Sequence, residues 1–268
     1  MNNICYVTSY YNINRESWTG FSRSFDEYLI EFNPYIKLFN KDNCGNDILI
    51  VFMDEKNIIQ FKKQFDETKV NIKVISTNDE FMNTLHIWKT LEKEQEIMND
   101  DNFKQLLGSR CIYPEHIYPK YTLINHCKID LICSLFDKYD YDYYAWVDFG
   151  FFKLGCNIPS KLIDINKLNL NTINYSIINP LEEIHKDILY NLQVAPEIIG
   201  GFFFFGRKDK LLEYQELYHL MLEYFQNKLN IADDDQHLAL QCYFQKPELF
   251  TLHFLGAWHK ALVFFQKE

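Results

Sequence analysis

Several stretches of this 268-residue chain carry residue types that could do chemistry. In Tyr144-Ala145-Trp146-Val147-Asp148-Phe149-Gly150 an apolar run delivers one carboxylate. Asp148 could ligate a hard divalent cation that holds a diphosphate, or simply cap the following turn. Gly200-Gly201 precedes Phe202-Phe203-Phe204-Phe205. Without Cβ atoms the pair admits a ligand close to backbone N–H groups, although a tight turn into a core strand would use them too. Asp233-Asp234-Asp235-Gln236 opens a helical stretch. N-capping and the helix dipole account for one or two of the aspartates. A third adds like-charge repulsion, so Asp235, or Asp234, could serve as a general base towards a hydroxyl. His253 leaves a late apolar run, followed by Gly256, Trp258 and Lys260. That segment could supply a metal ligand and a phosphate-binding cation. Arg15, Trp18 and Arg23 follow the first apolar run, and Lys128 lies on a helical stretch. The two arginines and the lysine could meet an anionic ligand or face solvent.

The elements that must position these residues alternate. Apolar runs at 4–8, 47–52, 70–75, 143–148, 174–178, 201–205 and 249–254 read as strands. Helical spacing of apolar residues covers 24–39, 56–65, 78–98, 118–135, 208–229 and 233–243. The polar stretch 157–171 reads as loops and a short helix. Such alternation predicts an α/β fold with a mainly parallel sheet. No Pro/Ser/Gly linker and no internal repeat divides the chain, so one domain over 1–268 is expected. In open α/β sheets ligands bind beyond the strand C-termini, where Asp148 would fall.

Composition narrows the function classes. Hydrophobic residues at 47% and charged residues at 24% exclude a disordered chain or a coiled-coil rod. Nine Gly and seven Pro are too few for a sandwich of many tight turns. A net charge of −10 repels phosphate backbones, so no nucleic-acid partner is expected. Seven cysteines, an odd number without a Cys-x-x-Cys pair, read as free thiols in a reducing compartment. The start Met1-Asn2-Asn3-Ile4-Cys5 lacks the basic and apolar regions of a signal peptide. The longest apolar runs fall well short of the roughly 20 residues that span a bilayer. The expectation is a cytoplasmic protein without a transmembrane segment, at most peripheral to a membrane.

Taken in order, Thr8-Ser9-Tyr10-Tyr11, Arg15, Trp18, Arg23, Tyr121, Asn125, Lys128, Trp146-Val147-Asp148-Phe149-Gly150, Gly200-Gly201-Phe202, Asp234-Asp235-Gln236 and Trp258 resemble the HtrL/YibB-type (WlaTC-like) family from about residue 5 to 260. The resemblance implies a GT-A glycosyltransferase fold, an α/β/α sandwich that binds a nucleotide sugar. GT-A enzymes hold Mn²⁺ or Mg²⁺ with an Asp-x-Asp motif. Asp148 matches its first Asp, and Gly150 stands at the second. By the same resemblance His253 supplies a second metal ligand and Lys260 a phosphate contact. The resemblance also implies that Gly200 and Gly201 lie under the donor sugar and that Gln236 lies near the reacting sugars.

The reading is therefore a glycosyltransferase moving a sugar from a nucleotide-sugar donor, expected to be a UDP-sugar, to a glycan or glycoconjugate acceptor. Asp235 and Asp234 are the catalytic candidates, and Asp148 and His253 the metal candidates. Thr8, Tyr10, Arg15, Lys128, Gly200, Gly201, Gln236, Trp258 and Lys260 are the substrate-binding candidates. The rival is a non-catalytic nucleotide- or carbohydrate-binding protein on the same fold, favoured by Gly150. A nucleotidyltransferase would show a Gly-rich loop after the first strand, and Tyr10 to Trp18 contains no Gly.

Overall fold

The computed structural model describes residues 3–152 and 158–268. Seven strands form one sheet: β1 (Ile4–Tyr10), β2 (Ile48–Asp54), β3 (Ile72–Thr77), β4 (Tyr143–Val147), β5 (Ile173–Ile177), β6 (Ile199–Arg207) and β7 (Phe250–Phe254). Their order is β3-β2-β1-β4-β6-β5-β7. β6 pairs antiparallel with β4 and β5, and the other pairings are parallel. All seven expected strands are present, in an α/β fold with a mixed, mostly parallel sheet.

The central strands are apolar on both faces because both are covered. One face carries Tyr6, Leu49, Val51, Ala145 and Phe205 against α1 (Phe25–Ile36) and α2 (Glu55–Lys62). α1 starts at a capping box, in which Ser24 accepts from the Glu27 N–H and Glu27 reaches back to Ser24. The other face carries Val7, Ile50, Trp146 and Phe204. It lies under α3 (Asp79–Met82), α4 (Leu91–Asn99), α5 (Asp101–Leu107), α6 (Pro119–His126), α7 (Lys128–Cys133), α8 (Ile188–Val194), α9 (Lys208–Glu223) and α10 (Asp235–Gln245). α11 (Ala261–Phe265) closes the chain on the Tyr6 face.

Several helical readings need correction. The 78–98 pattern is not one helix: α3 and α4 are separated by a tight 3₁₀ turn at Ile87–Thr90. There the buried Asp130 carboxylate accepts the Ile87 N–H at 3.0 Å, replacing a helical bond. The 118–135 pattern divides at Cys127 into α6 and α7. That break makes Lys128 the first residue of α7. α9 runs on into a π-helical turn, Tyr224–Leu229, which Asn230 ends in the left-handed conformation at φ 54°. α5, α8 and α11 span seven, seven and five residues, too short for periodicity to reveal.

Cys5, Cys44, Cys111, Cys127, Cys133 and Cys242 are free thiols; Cys156 lies outside the described residues. Among the described residues no helix is long and apolar enough to cross a membrane.

Candidate active site

β4 ends at Val147, and the backbone N–H of Asp148 still donates to the Phe202 carbonyl at 2.9 Å. The next side chain therefore leaves the sheet at its C-terminal edge. The Asp148 carboxylate accepts the Trp146 indole N–H at 2.6 Å on Oδ1. The Lys128 ammonium lies 3.0 Å from Oδ1 and 3.1 Å from Oδ2. The same ammonium donates to Asp235 Oδ2 at 2.8 Å and to the Gly201 carbonyl at 2.9 Å. An ammonium has three donors, and three groups take them. Lys128 thus ties the end of β4, the start of β6 and the start of α10 into one constellation.

Burial orders this centre. The side chains of Lys128, Asp235 and Asp148 are 7%, 13% and 28% exposed, so Asp148 is the most open of the three. Burial alone would lower the Lys128 pKa, but the two carboxylates beside it raise it. Burial pushes the Asp235 carboxyl up to about 6, against the opposing pull of Lys128, and the Asp148 charge adds to the rise. Asp235 is ionised at neutral pH yet close enough to its pKa to accept a proton.

A network holds the segment that carries Asp235. His126 bonds the Asp233 carbonyl at 3.0 Å and the Tyr218 hydroxyl at 2.6 Å. His116 Nδ1 bonds the Ala232 carbonyl at 3.2 Å. Asp234 is the N-cap of α10, accepting the His237 N–H at 2.8 Å. The buried Asp233 carboxylate lies 2.9 Å from His237 Nδ1. Burial would lower the His237 pKa, but Asp233 and then Asp234 raise it to about 9. Asp233, Asp234 and His237 each offer one ligand atom within 4.8 Å of the others, a set that could hold a metal ion.

Two lobes of one cleft meet at this centre. A cavity of about 290 Å³ is lined by Tyr10, Arg15, Arg23, Asp148, Trp258 and His259 among others. A second, of about 190 Å³, is lined by Gly201, Asp234, Asp235, Gln236 and Trp258. Both share Tyr121, Asn125, Lys128, Asp148, Phe202 and Trp258. Arg15 donates to the Tyr28 hydroxyl at 2.8 Å and to the Phe21 carbonyl at 2.9 Å. Arg23 donates to the Gly150 carbonyl at 3.2 Å, lies over the Tyr28 ring and pairs with Glu31.

Of the residues expected from sequence, the cleft gathers Tyr10, Arg15, Lys128, Asp148, Gly201, Asp234, Asp235, Gln236 and Trp258. Four lie elsewhere. Thr8 is fully buried within β1, and Ser9 lines the cleft instead. Gly200 lies inside β6, where an added Cβ would meet Phe202 and Ser176 at 2.7 Å. Lys260 is exposed.

His253 is not brought to Asp148. β7 is separated from β4 by β6 and β5, three strand spacings of about 4.8 Å. Its Nε2 bonds Asn174 Oδ1 at 2.9 Å, and its ring packs on Phe265. The glycine pair is also not a turn ahead of the strand; both residues belong to β6. Gly201 is required because an added Cβ would sit 2.7 Å from Asp235 Oδ2 and from Gln236 Cγ.

Tyr28 and Glu115 also line the cleft lobes and were not singled out from sequence. Tyr28 looks like one more apolar-face residue of α1, and Glu115 lies in a short 3₁₀ turn. His259, rather than Lys260, reaches the cleft, and its buried Nδ1 has no partner.

Residues 2–267 match a bacterial family of unknown function, HtrL_YibB. The chain is 28% identical over 263 residues to Protein HtrL of Escherichia coli (strain K12), covering 93% of this chain and 87% of that protein. It is also similar to the crystal structure of core-mannan synthase A (CmsA/Ktr4) from Aspergillus fumigatus in its Mn/GDP form. The TM-score is 0.56 at 12% identity, covering 95% of this chain and 73% of that one. At that identity the likeness shows the fold, that of a GT-A glycosyltransferase. The chain belongs to the HtrL_YibB family.

Proposed function

We propose that this chain is a glycosyltransferase that takes a sugar from a nucleotide-sugar donor and passes it to a hydroxyl of a glycan or glycoconjugate. The observation that carries the reading is the Asp148–Lys128–Asp235 constellation at the floor of a two-lobed cleft. The lobe with Arg15 and Arg23 suits the donor's diphosphate, since guanidinium forks match phosphate oxygens. The lobe with Asp234, Asp235 and Gln236 suits the acceptor. Asp148, the most exposed member of the centre, keeps lone pairs for a hydroxyl of the donor ribose or sugar.

In the transfer, the acceptor oxygen bonds to the anomeric carbon and the bond from that carbon to the diphosphate oxygen breaks. The acceptor proton passes to Asp235, and the nucleoside diphosphate leaves with the bonding electron pair. Asp235 is assigned the proton because its carboxylate is buried and its pKa is raised to about 6. Asp234 already caps α10 and is assigned a supporting place. Tyr10 and Trp258 wall the cleft and would exclude water around the sugar.

Asp148 does not fit a divalent ion as placed. Its carboxylate carries the Lys128 ammonium and the Trp146 N–H. Gly150 supplies no second carboxylate, and His253 lies elsewhere. Among the described residues a Mn²⁺ or Mg²⁺ ion has a three-residue donor set only in Asp233, Asp234 and His237, and no step is routed through it.

A UDP-sugar is the donor we propose first, with a GDP-sugar as the competing choice because the structural neighbour is a GDP form. Thermal shift against UDP-, GDP-, CDP- and dTDP-sugars tests the reading. A ligand at 100 times its Kd adds about 2.7 kcal/mol of stability. A flat response across the panel would overturn it. The second reading, a non-catalytic binder, rests on Gly150. It predicts a shift with one donor but no nucleoside diphosphate released, with Asp148→Ala costing binding and no turnover.

A further inference from the structure

We propose that this chain binds the diphosphate of its nucleotide ligand without a divalent ion, because Lys128 already occupies the position at Asp148 that an ion would need. The inference rests on the reading above and concerns how the same cleft manages charge. Three observations carry it.

The first is the coordination of Asp148. Both its oxygens lie 3.0–3.1 Å from the Lys128 ammonium, and Oδ1 also accepts from Trp146. The other nearby carboxylate, Asp235, is bound to the same ammonium at 2.8 Å. An ion would have to displace a buried cation from two carboxylates and a carbonyl. Among the described residues, no group of three His, Cys, Asp or Glu donors includes Asp148.

The second is Gly150. A carboxylate there would complete an Asp-x-Asp pair, but an added Cβ would sit 2.8 Å from Tyr28 Cε1 and 2.9 Å from Arg23 Nη1. A guanidinium stands where a metal-binding side chain would begin, and a cation there repels an ion rather than holding one.

The third is a supply of fixed positive charge on the same wall. Arg15 and Arg23 line the lobe with Asp148. Arg23 is paired with Glu31. Among the described residues no carboxylate pairs with the Arg15 guanidinium, which is held by the Tyr28 hydroxyl and the Phe21 carbonyl. Lys128 is thus a positioning residue for Asp148 and Asp235, while Arg15 supplies the charge that no carboxylate offsets and Arg23, paired with Glu31, adds guanidinium N–H donors beside it.

The test is calorimetric titration of the full chain with UDP and with GDP, in EDTA and again with Mn²⁺ or Mg²⁺. The better-bound nucleotide should show the same Kd within about threefold with and without the ion. Arg15→Met and Arg23→Met should each weaken it at least tenfold in EDTA. Lys128→Met leaves two carboxylates without their cation, so its nucleotide affinity should become at least tenfold tighter with Mn²⁺ than in EDTA. If that variant does not fold, the two arginine variants and the wild-type comparison decide alone. Binding by the wild type only when Mn²⁺ or Mg²⁺ is present would overturn the inference and leave the glycosyltransferase reading standing. Binding of neither nucleotide under any condition would overturn both.

Discussion

The Lys128 ammonium lies 2.8 Å from Asp235 Oδ2, joining residues 107 positions apart in the chain. It also lies 3.0 Å from Asp148 Oδ1, so one buried cation bridges both carboxylates.

Asp235→Asn should lower the rate of sugar transfer by about 10²–10⁴, the usual contribution of a general base. The wild-type rate should rise with pH through about 6, where Asp235 ionises, and the variant should lose that limb. Stability runs the other way. The folded pKa of Asp235 lies above its ordinary value of 3.8, so the folded protein holds the proton more tightly and loses stability as pH rises from about 4 to 6. Melting curves of the asparagine variant should be flatter across that window. A wild-type rate that ignores pH near 6 would count against Asp235 as the base.

Gly201→Ala should cost about 1–3 kcal/mol, the range for overpacking a filled site. Its new methyl would fall 2.7 Å from Asp235 Oδ2 and Gln236 Cγ. Transfer should fall by more than the loss of folded protein accounts for, since Asp235 must move. Denaturant titration gives the first number and single-turnover kinetics the second. A variant as stable and as active as wild type would show that the close approach is not needed.

His237→Gln should destabilise the fold by about 3–5 kcal/mol near pH 7, because it leaves the buried Asp233 carboxylate without its partner. The folded pKa of His237 is raised from 6.5 to about 9. The pair therefore stabilises fully below about 6.5 and loses that contribution as pH rises through 9. The gap between wild type and variant in urea denaturation should shrink between pH 7 and 10. A gap that stays constant would mean that His237 is neutral in the folded protein.

Glu94→Gln offers a check remote from the cleft. Burial pushes the Glu94 carboxyl from 4.5 up to about 8, against a hydrogen bond from Gln226. Wild-type stability should therefore decline as pH rises from about 4.5 to 8. The glutamine variant has no proton to lose, and its Tm should exceed that of wild type above pH 8. A variant that melts lower at every pH would contradict the burial argument.

The strands were legible because a sheet covered on both faces must be apolar along its whole length, as Ile48 to Met53 are. The end of β4 was legible for the same reason: Asp148 is the first charge after five buried residues. The triple aspartate was only half legible. Its sequence cannot say that Asp233 faces His237, that Asp234 caps and that Asp235 meets Lys128, because those choices come from the packing of α10 on β6, α9 and α6. His253 was misplaced because spacing in the chain carries no information on how many strands lie between β4 and β7. The broken helices failed for a related reason, since the Asp130 carboxylate overrides helical periodicity at Ile87 from 43 residues away.

The most direct measurement is the release of nucleoside diphosphate from a panel of UDP- and GDP-sugars, followed by mass spectrometry for the wild type and for Asp235→Asn at pH 7.5. The account predicts release from at least one donor by the wild type and a loss of about 100-fold or more in the variant, whose fold and donor binding persist. No release from any donor, or equal release by both proteins, would contradict it.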